Sequence, residues 1–213
     1  MKANPVASEV GRDWVDGPYY DEAEAVMDAQ WRLLLWPLIE GCDFTSVLDL
    51  AAGHGRNSAK LLPLCQALWL VDINRSNIEF LRRRFGADSR VTYVQNNGAD
   101  LAAVPDGSIT FLYCFDAMVH FDSDVVRSYL REFRRVLRPG GRVFCHYSNY
   151  DGNPTGSYRE HPGWRNFMSR ALYEHYAAKE GLEVVQSWYV HKVAVIVENP
   201  GDDIDAMTLL SRP

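Results

Sequence analysis

The stretch Ser46-Val47-Leu48-Asp49-Leu50-Ala51-Ala52-Gly53-His54-Gly55-Arg56-Asn57-Ser58 constrains this chain more than any other. The apolar run ending at Asp49 and Leu50 reads as a buried parallel strand, and the glycine turn after it opens a helix. Gly53 and Gly55 remove the side chains that would keep a ligand from the backbone, and the first amides of the helix point outward as donors. Strand, glycine turn and helix in that order make a nucleotide-binding device within an α/β sheet.

The neighbours of the turn separate three ligands. A phosphate cradle needs Gly-Lys-Ser or Gly-Lys-Thr, whereas Gly55 is followed by Arg56 and Asn57. A dinucleotide fingerprint needs a third glycine for close packing of helix on strand, and Ser58 stands there. S-adenosylmethionine has no pyrophosphate, and Asp49 suits its ammonium-bearing methionine end. A second apolar run, residues 67–71, closes on Asp72, where a carboxylate can accept from both ribose hydroxyls. A third strand over 91–95 leads into Asn96-Asn97-Gly98-Ala99-Asp100, a polar turn suited to an adenine edge. Residues 109–114 read as a fourth strand and 125–137 as a helix, with Pro139-Gly140-Gly141 as a break before a fifth strand at 142–146. Taken singly, the glycines could be plain turn formers, and Asp49 and Asp72 ordinary helix caps.

In this order and spacing, residues 45–149 resemble the class I S-adenosylmethionine-dependent methyltransferases. The resemblance implies a doubly wound, mostly parallel seven-stranded sheet with helices on both faces and an antiparallel last strand. It implies S-adenosylmethionine as cofactor, held by Asp49, Ala51, Gly53, His54 and Gly55, by Asp72 and Ile73, by Asn97, Gly98 and Asp100, and by Cys114 and Phe115. Ala51 replaces the first glycine usual in the family, which a negative φ there would tolerate.

With 213 residues, of which 47% are hydrophobic and 23% charged, the chain suits a single domain. Residues 1–45 form an N-terminal helical lid, 46–149 the cofactor-binding core, and 150–213 a substrate loop and C-terminal strands. The N-terminus lacks a secretion signal, and the longest apolar segment, 33–39, is short and contains Pro37, so a soluble cytoplasmic protein without membrane partners is expected. A net charge of -6 argues against nucleic-acid binding. Arg82 to Arg84, and Arg131, Arg134, Arg135 and Arg138, read as solvated helix faces. Cys42, Cys65, Cys114 and Cys145 lack metal-ligand spacing and read as reduced core thiols. The expected partner is a small-molecule acceptor, with the chain a monomer or homodimer.

Two segments outside the core could build the acceptor site: residues 14–20 leading into a helix at 22–36, and the linker 147–164 before a helix at 165–180. Methyl transfer needs alignment and exclusion of water, and an oxygen acceptor, which is favoured, must lose a proton. His146 is the first choice of base, with His161 and Tyr147 next, and an Asp116 and His120 couple stands level with a packing or helix-orienting role for His120. A metal-assisted variant using Asp116, His120 and His146 ranks below a metal-free site. The Asn-Pro-Pro-Tyr signature of amino methylation is replaced by Cys114-Phe115-Asp116-Ala117. A protein-directed methyltransferase and a non-catalytic cofactor-binding module are the alternatives. Toward the C-terminus, 182–190 reads as a sixth strand and 205–211 as the last, and the strand-like run 193–197 predicts an extra edge pairing.

Overall fold

A computed structural model describes residues 3–15, 17–191, 195–197 and 204–213. Its parallel strands are β1 (Ser46–Leu50), β2 (Ala67–Asp72), β3 (Val91–Gln95), β4 (Ile109–Met118) and β5 (Leu137–Ser148). Beyond β5 come β6 (Glu183–His191), a short β7 (Val195–Val197) and β8 (Ile204–Ser211). β8 runs antiparallel between β5 and β6, and β7 pairs antiparallel with the outer edge of β6. The order β3-β2-β1-β4-β5-β8-β6-β7 is the expected seven-stranded frame with one added edge strand. Of the run expected at that edge, Val193 and Ala194 lie outside the described residues.

Alternation along the strands sorts the core into two layers. Leu48, Leu50, Leu112, Cys114, Val143, Cys145 and Tyr147 face α6 (Ser123–Val136) and α7 (Arg170–Lys179). Val47, Phe111, Tyr113, Phe115 and Phe144 face the opposite layer, built by α2 (Tyr19–Gln30), α3 (Trp36–Ile39), α4 (Arg56–Leu61) and α5 (Arg75–Phe85). In α6 the buried Val125, Val126, Tyr129, Leu130, Phe133 and Val136 recur at helical spacing, and the Asp122 side chain accepts from the Asp124 amide at the N-cap. This helix ends at Val136, ahead of the Pro-Gly-Gly break, because Leu137 already pairs with Ile109; the register then shifts before Phe111 meets Arg142.

The N-terminal region differs from its expected form. A separate helix, α1 (Pro5–Asp13), precedes α2, started by the Asn4 side chain accepting from the Val6 and Ala7 amides with Pro5 in the first turn. The helix expected at 22–36 runs as α2, a π turn over Trp31–Leu35, and α3. Pro37 has no amide to offer the preceding turn, and the ladder widens just before it. At the other end, residues 165–169 are not helical; α7 starts at Arg170, where the Ser169 hydroxyl accepts from the Leu172 amide.

Four of the clustered arginines are paired with acids: Arg84 with Glu24, Arg131 with Glu180, Arg135 with Glu132 and Asp106, and Arg138 with Asp43. All four cysteines are free thiols. Among the described residues no helix is long and apolar enough to cross a membrane.

Candidate functional site

A cleft, open at its mouth, lies beyond the carboxyl ends of β1, β2 and β4 and is roofed by α1 and α2. One wall starts at Asp72, which ends β2. Its Oδ2 accepts from the Gly53 amide at 2.9 Å, and its Oδ1 accepts from the Asn74 amide at 2.8 Å and the Asn77 side chain at 3.2 Å. Burial pushes this carboxyl up, against the pull of those donors. Asp72 thus both lines the cleft and holds two turns together.

The wall contains Ala51, Gly53, His54, Asp72, Ile73, Gly98 and Phe115, together with Asp116 and His120. Ala51 has a φ of +56°, so the negative φ expected for it is corrected: the turn keeps the left-handed backbone that a glycine would supply. Gly53, at +54°, is overlain by the ring of Tyr20, which a Cβ would meet at 2.8 Å.

Five residues assigned to the cofactor stand behind or beside this wall. Asp49 is 2% exposed and accepts from the Ser58 hydroxyl at 2.6 Å, with burial raising its carboxyl to about 7. Gly55 is pressed beneath Phe85 and Leu81. Asn97 turns inward to its own loop, accepting from the Ala99 amide, and its carbonyl receives the Asn4 amide. Asp100 accepts from the Ala102 amide, and Cys114 is buried on the α6 face. In their place the structure brings Asn74, Asn77, Asn96, Arg56, Trp14, Tyr19 and Tyr20 to the cleft. Asn74 and Asn96 lie at strand ends, where sequence could have flagged them; Arg56 depends on how the lid closes.

Elsewhere on the cleft wall, Asp116 has a φ of +58°. Its Oδ2 accepts from the Tyr19 hydroxyl at 2.6 Å and from Arg56 at 2.8 Å. Burial, and then the charge of Asp116, raise the Tyr19 hydroxyl far above its ordinary range. His120 stacks on Trp14 with ring centroids 4.6 Å apart, and its Nδ1 lies 2.7 Å from the Trp164 carbonyl. Burial lowers its imidazole to about 4, against the pull of that carbonyl.

His146, the first-choice base, is absent from the cleft wall. It is 0% exposed, and its Nδ1 accepts from the Asp116 amide at 3.1 Å. A lone pair already engaged by an amide cannot collect a substrate proton, and this corrects the expectation. His161 is likewise buried away from the cleft, with Nδ1 2.8 Å from the Arg165 carbonyl. Tyr147 lies on the other face of the sheet, bonded to Thr208 and stacked on Tyr173. Among the described residues no group of three or more His, Cys, Asp or Glu side chains is placed to hold a metal ion.

Stacked rings and ion pairs hold α1 and α2 over the cleft. Tyr20 stacks on His54 at 3.7 Å and His54 on Phe80 at 3.9 Å, while Arg84 binds both Glu24 and the His54 carbonyl. From the far side, Tyr158 donates to Asp13, and Arg159 pairs with Glu9 and Asp13. A backbone cradle at a glycine turn, a buried carboxylate at a strand end and an asparagine-glycine turn on one wall are the donor and acceptor types that a sulfonium nucleoside requires.

Residues 47–141 match the profile of a family described as a methyltransferase domain. A demethylmenaquinone methyltransferase of Clavibacter sepedonicus is 33% identical over 138 residues, which cover 61% of this chain and 54% of that protein. The chain therefore spans about half the length of this relative. A protein of the same name from Tropheryma whipplei (strain Twist) is 27% identical over 193 residues, 85% of this chain and 78% of that one. The fold is shared with geranyl diphosphate C-methyltransferase from Streptomyces coelicolor A3(2), solved with S-adenosyl-L-homocysteine, at a TM-score of 0.72 with 15% identity over 100% of both chains. The matched residues run from β1 to the start of β5, so the likeness to the methyltransferase domain falls on the strands at whose ends the cleft opens.

Proposed function

We propose that this chain transfers a methyl group from S-adenosylmethionine to a hydroxyl oxygen of a small, uncharged acceptor of phenol or enol type, with His120 receiving the hydroxyl proton at Nε2. The observation that carries the proposal is the 2.7 Å contact between His120 Nδ1 and the Trp164 carbonyl. A carbonyl has no proton to give, so Nδ1 bears the hydrogen and the lone pair sits at Nε2. Because burial holds the imidazole near 4, the ring is neutral at physiological pH with that lone pair intact. A base this weak matches a hydroxyl that is itself acidic, which favours a phenol or enol over an alkyl alcohol.

When bound, S-adenosylmethionine would supply an electrophilic methyl on its sulfonium, with S-adenosylhomocysteine as the leaving group. Asp72 would accept from the ribose hydroxyls, the Ala51 to Gly53 backbone would receive the methionine portion, and Asn96 and Gly98 would border the adenine. Trp14, Tyr19 and Phe115 exclude water and orient the acceptor for in-line attack. Glu24, Asp72, Asp116 and Asp122 line the cleft, and Arg56 is already paired with Asp116. That balance disfavours an acceptor carrying a diphosphate.

Relatives named for demethylmenaquinone favour a second reading, transfer to a ring carbon of a quinol-like acceptor. Loss of the same hydroxyl proton makes the ring carbon nucleophilic, and His120 keeps its part. A screen of phenols, enols, quinols, alkyl alcohols and peptides, reading S-adenosylhomocysteine release and locating the methyl by NMR, separates these outcomes. His120→Ala is expected to keep S-adenosylhomocysteine affinity near wild type and to lose about two to four orders of magnitude in turnover, less at higher pH. Normal turnover of that variant at neutral pH would remove His120 from the mechanism. Cofactor binding with no turnover on any pool would identify a non-catalytic module, and turnover on peptides alone a protein-directed enzyme.

A further inference from the structure

β4 and β5 are in register at Cys114 with Cys145 and again at Met118 with Tyr147. Between those points β4 spends three residues, Phe115 to Ala117, where β5 spends one, His146. Such a bulge takes backbone groups out of the ladder and re-aims the side chains it carries. Asp116 lies at its centre, in the left-handed region at a φ of +58° that residues with a Cβ rarely adopt. The amide that the bulge removes from the strand ladder is taken up by the imidazole opposite: Asp116 N–H donates to His146 Nδ1 at 3.1 Å.

The remaining contacts of His146 set its orientation. With Nδ1 accepting, the ring hydrogen is on Nε2, which lies 3.2 Å from Asp205 Oδ2, an electrostatic contact whose angle falls short of a hydrogen bond. Asp205 is in turn gripped by Arg165, at 2.9 Å from Nε and 2.6 Å from Nη2. Burial works to raise the Asp205 carboxyl, but the nearby His146 ring and the bonds from Arg165 hold it below its ordinary value. Arg165 follows Trp164, whose carbonyl orients His120. One buried chain of contacts therefore runs from the loop beside His120, through β8 and β5, to the bulge in β4.

We propose that His146, oriented by Asp205 and Arg165, is a positioning residue that locks the Asp116 backbone in its left-handed turn and so aims the Asp116 carboxylate at Tyr19 and Arg56. Those two contacts tie α2 and the start of α4 to the acceptor end of the cleft. Without His146 the Asp116 amide is stranded in a part-buried site, and the bulge must relax toward a regular strand that turns the carboxylate away. The consequence for methyl transfer rests on the function proposed above; the hydrogen-bond arrangement does not.

The test uses the full chain and two variants. Glutamine retains a side-chain oxygen to accept from the Asp116 amide and an amide group to donate to Asp205; leucine retains neither. In wild type, imidazole ¹⁵N NMR is expected to show His146 with Nδ1 unprotonated and Nε2 protonated. In the S-adenosylhomocysteine complex, His146→Leu is expected to speed deuterium exchange across residues 17–30, and His146→Gln to restore it. With an acceptor from the screen, His146→Leu should lose about a hundredfold in kcat with little change in KM for the cofactor, and His146→Gln should recover most of it. The opposite tautomer in wild type overturns the proposal. So does a His146→Gln variant that folds with the wild-type melting temperature yet exchanges and turns over like His146→Leu. Failure of wild type to bind S-adenosylhomocysteine would instead defeat the proposed function, and the tautomer measurement is independent of that result.

Discussion

Ala51 holds a φ of +56° where the family usually places glycine, so this turn retains its backbone geometry at the expense of strain. A left-handed residue with a Cβ loses about 1–2 kcal/mol, whereas glycine gives up about 0.5–1 kcal/mol through the greater freedom of its unfolded chain. Ala51→Gly is therefore expected to stabilise the protein by about 0.5–1 kcal/mol, a rise in melting temperature of about 2 °C for a chain of this size. Calorimetric S-adenosylhomocysteine affinity should stay unchanged, because the backbone already has the conformation that glycine permits. A lowered melting temperature would show that the Ala51 methyl makes packing contacts that outweigh its strain. Sequence marked the substitution but not its φ, since dihedral sign at one residue is set by what the turn must connect.

At the scale of elements, the lid and the glycine turn fit each other. A Cβ on Gly53 would stand 2.8 Å from the Tyr20 ring, in the same stack that pins α2 onto His54 and Phe80. Gly53→Ala should therefore force the lid off the turn and weaken S-adenosylhomocysteine binding, and Tyr20→Ala on that background should recover part of the loss. The coupling expected from such a double-mutant cycle is about 0.5–3 kcal/mol, measured by calorimetry. Additive losses would mean that the strain at a φ of +54° alone sets the effect. The apolar spacing of α2 was legible along the chain, whereas α1 was not. Its signal is a short Asn4-Pro5 start followed by the small residues Ala7, Val10 and Gly11, and these count only once Ile73 and Gly98 are beneath them.

For the whole molecule, two buried groups give stability opposite dependences on pH. Asp49 is raised by burial from 3.8 to about 7, so between those values the folded chain carries a proton that the unfolded chain lacks, and stability falls as pH rises. His120 is lowered by burial from 6.5 to about 4, so over much of the same range the unfolded chain carries the extra proton, and stability rises with pH. Each slope approaches about 1.4 kcal/mol per pH unit, and from about 4 to 6.5 they oppose one another. In urea unfolding across that window, Asp49→Asn should gain on wild type as pH rises, and His120→Gln should lose on it. Parallel curves for all three proteins would show that neither group titrates as its burial demands. The parallel βα order, the glycine turn and the strand-ending Asp72 were determined by sequence alone, because strand periodicity, turn chemistry and an acid at a strand end are written within a few neighbouring residues. The acceptor end was decided only by tertiary structure. His146 and His120 sit in equally plausible segments, and what distinguishes them is a partner 30 or 44 residues away: an amide that occupies the one lone pair, and a carbonyl that leaves the other free. The bulge that turns Asp116 into the cleft exists only where β4 meets β5, and the Arg56 contact only where α2 closes over both.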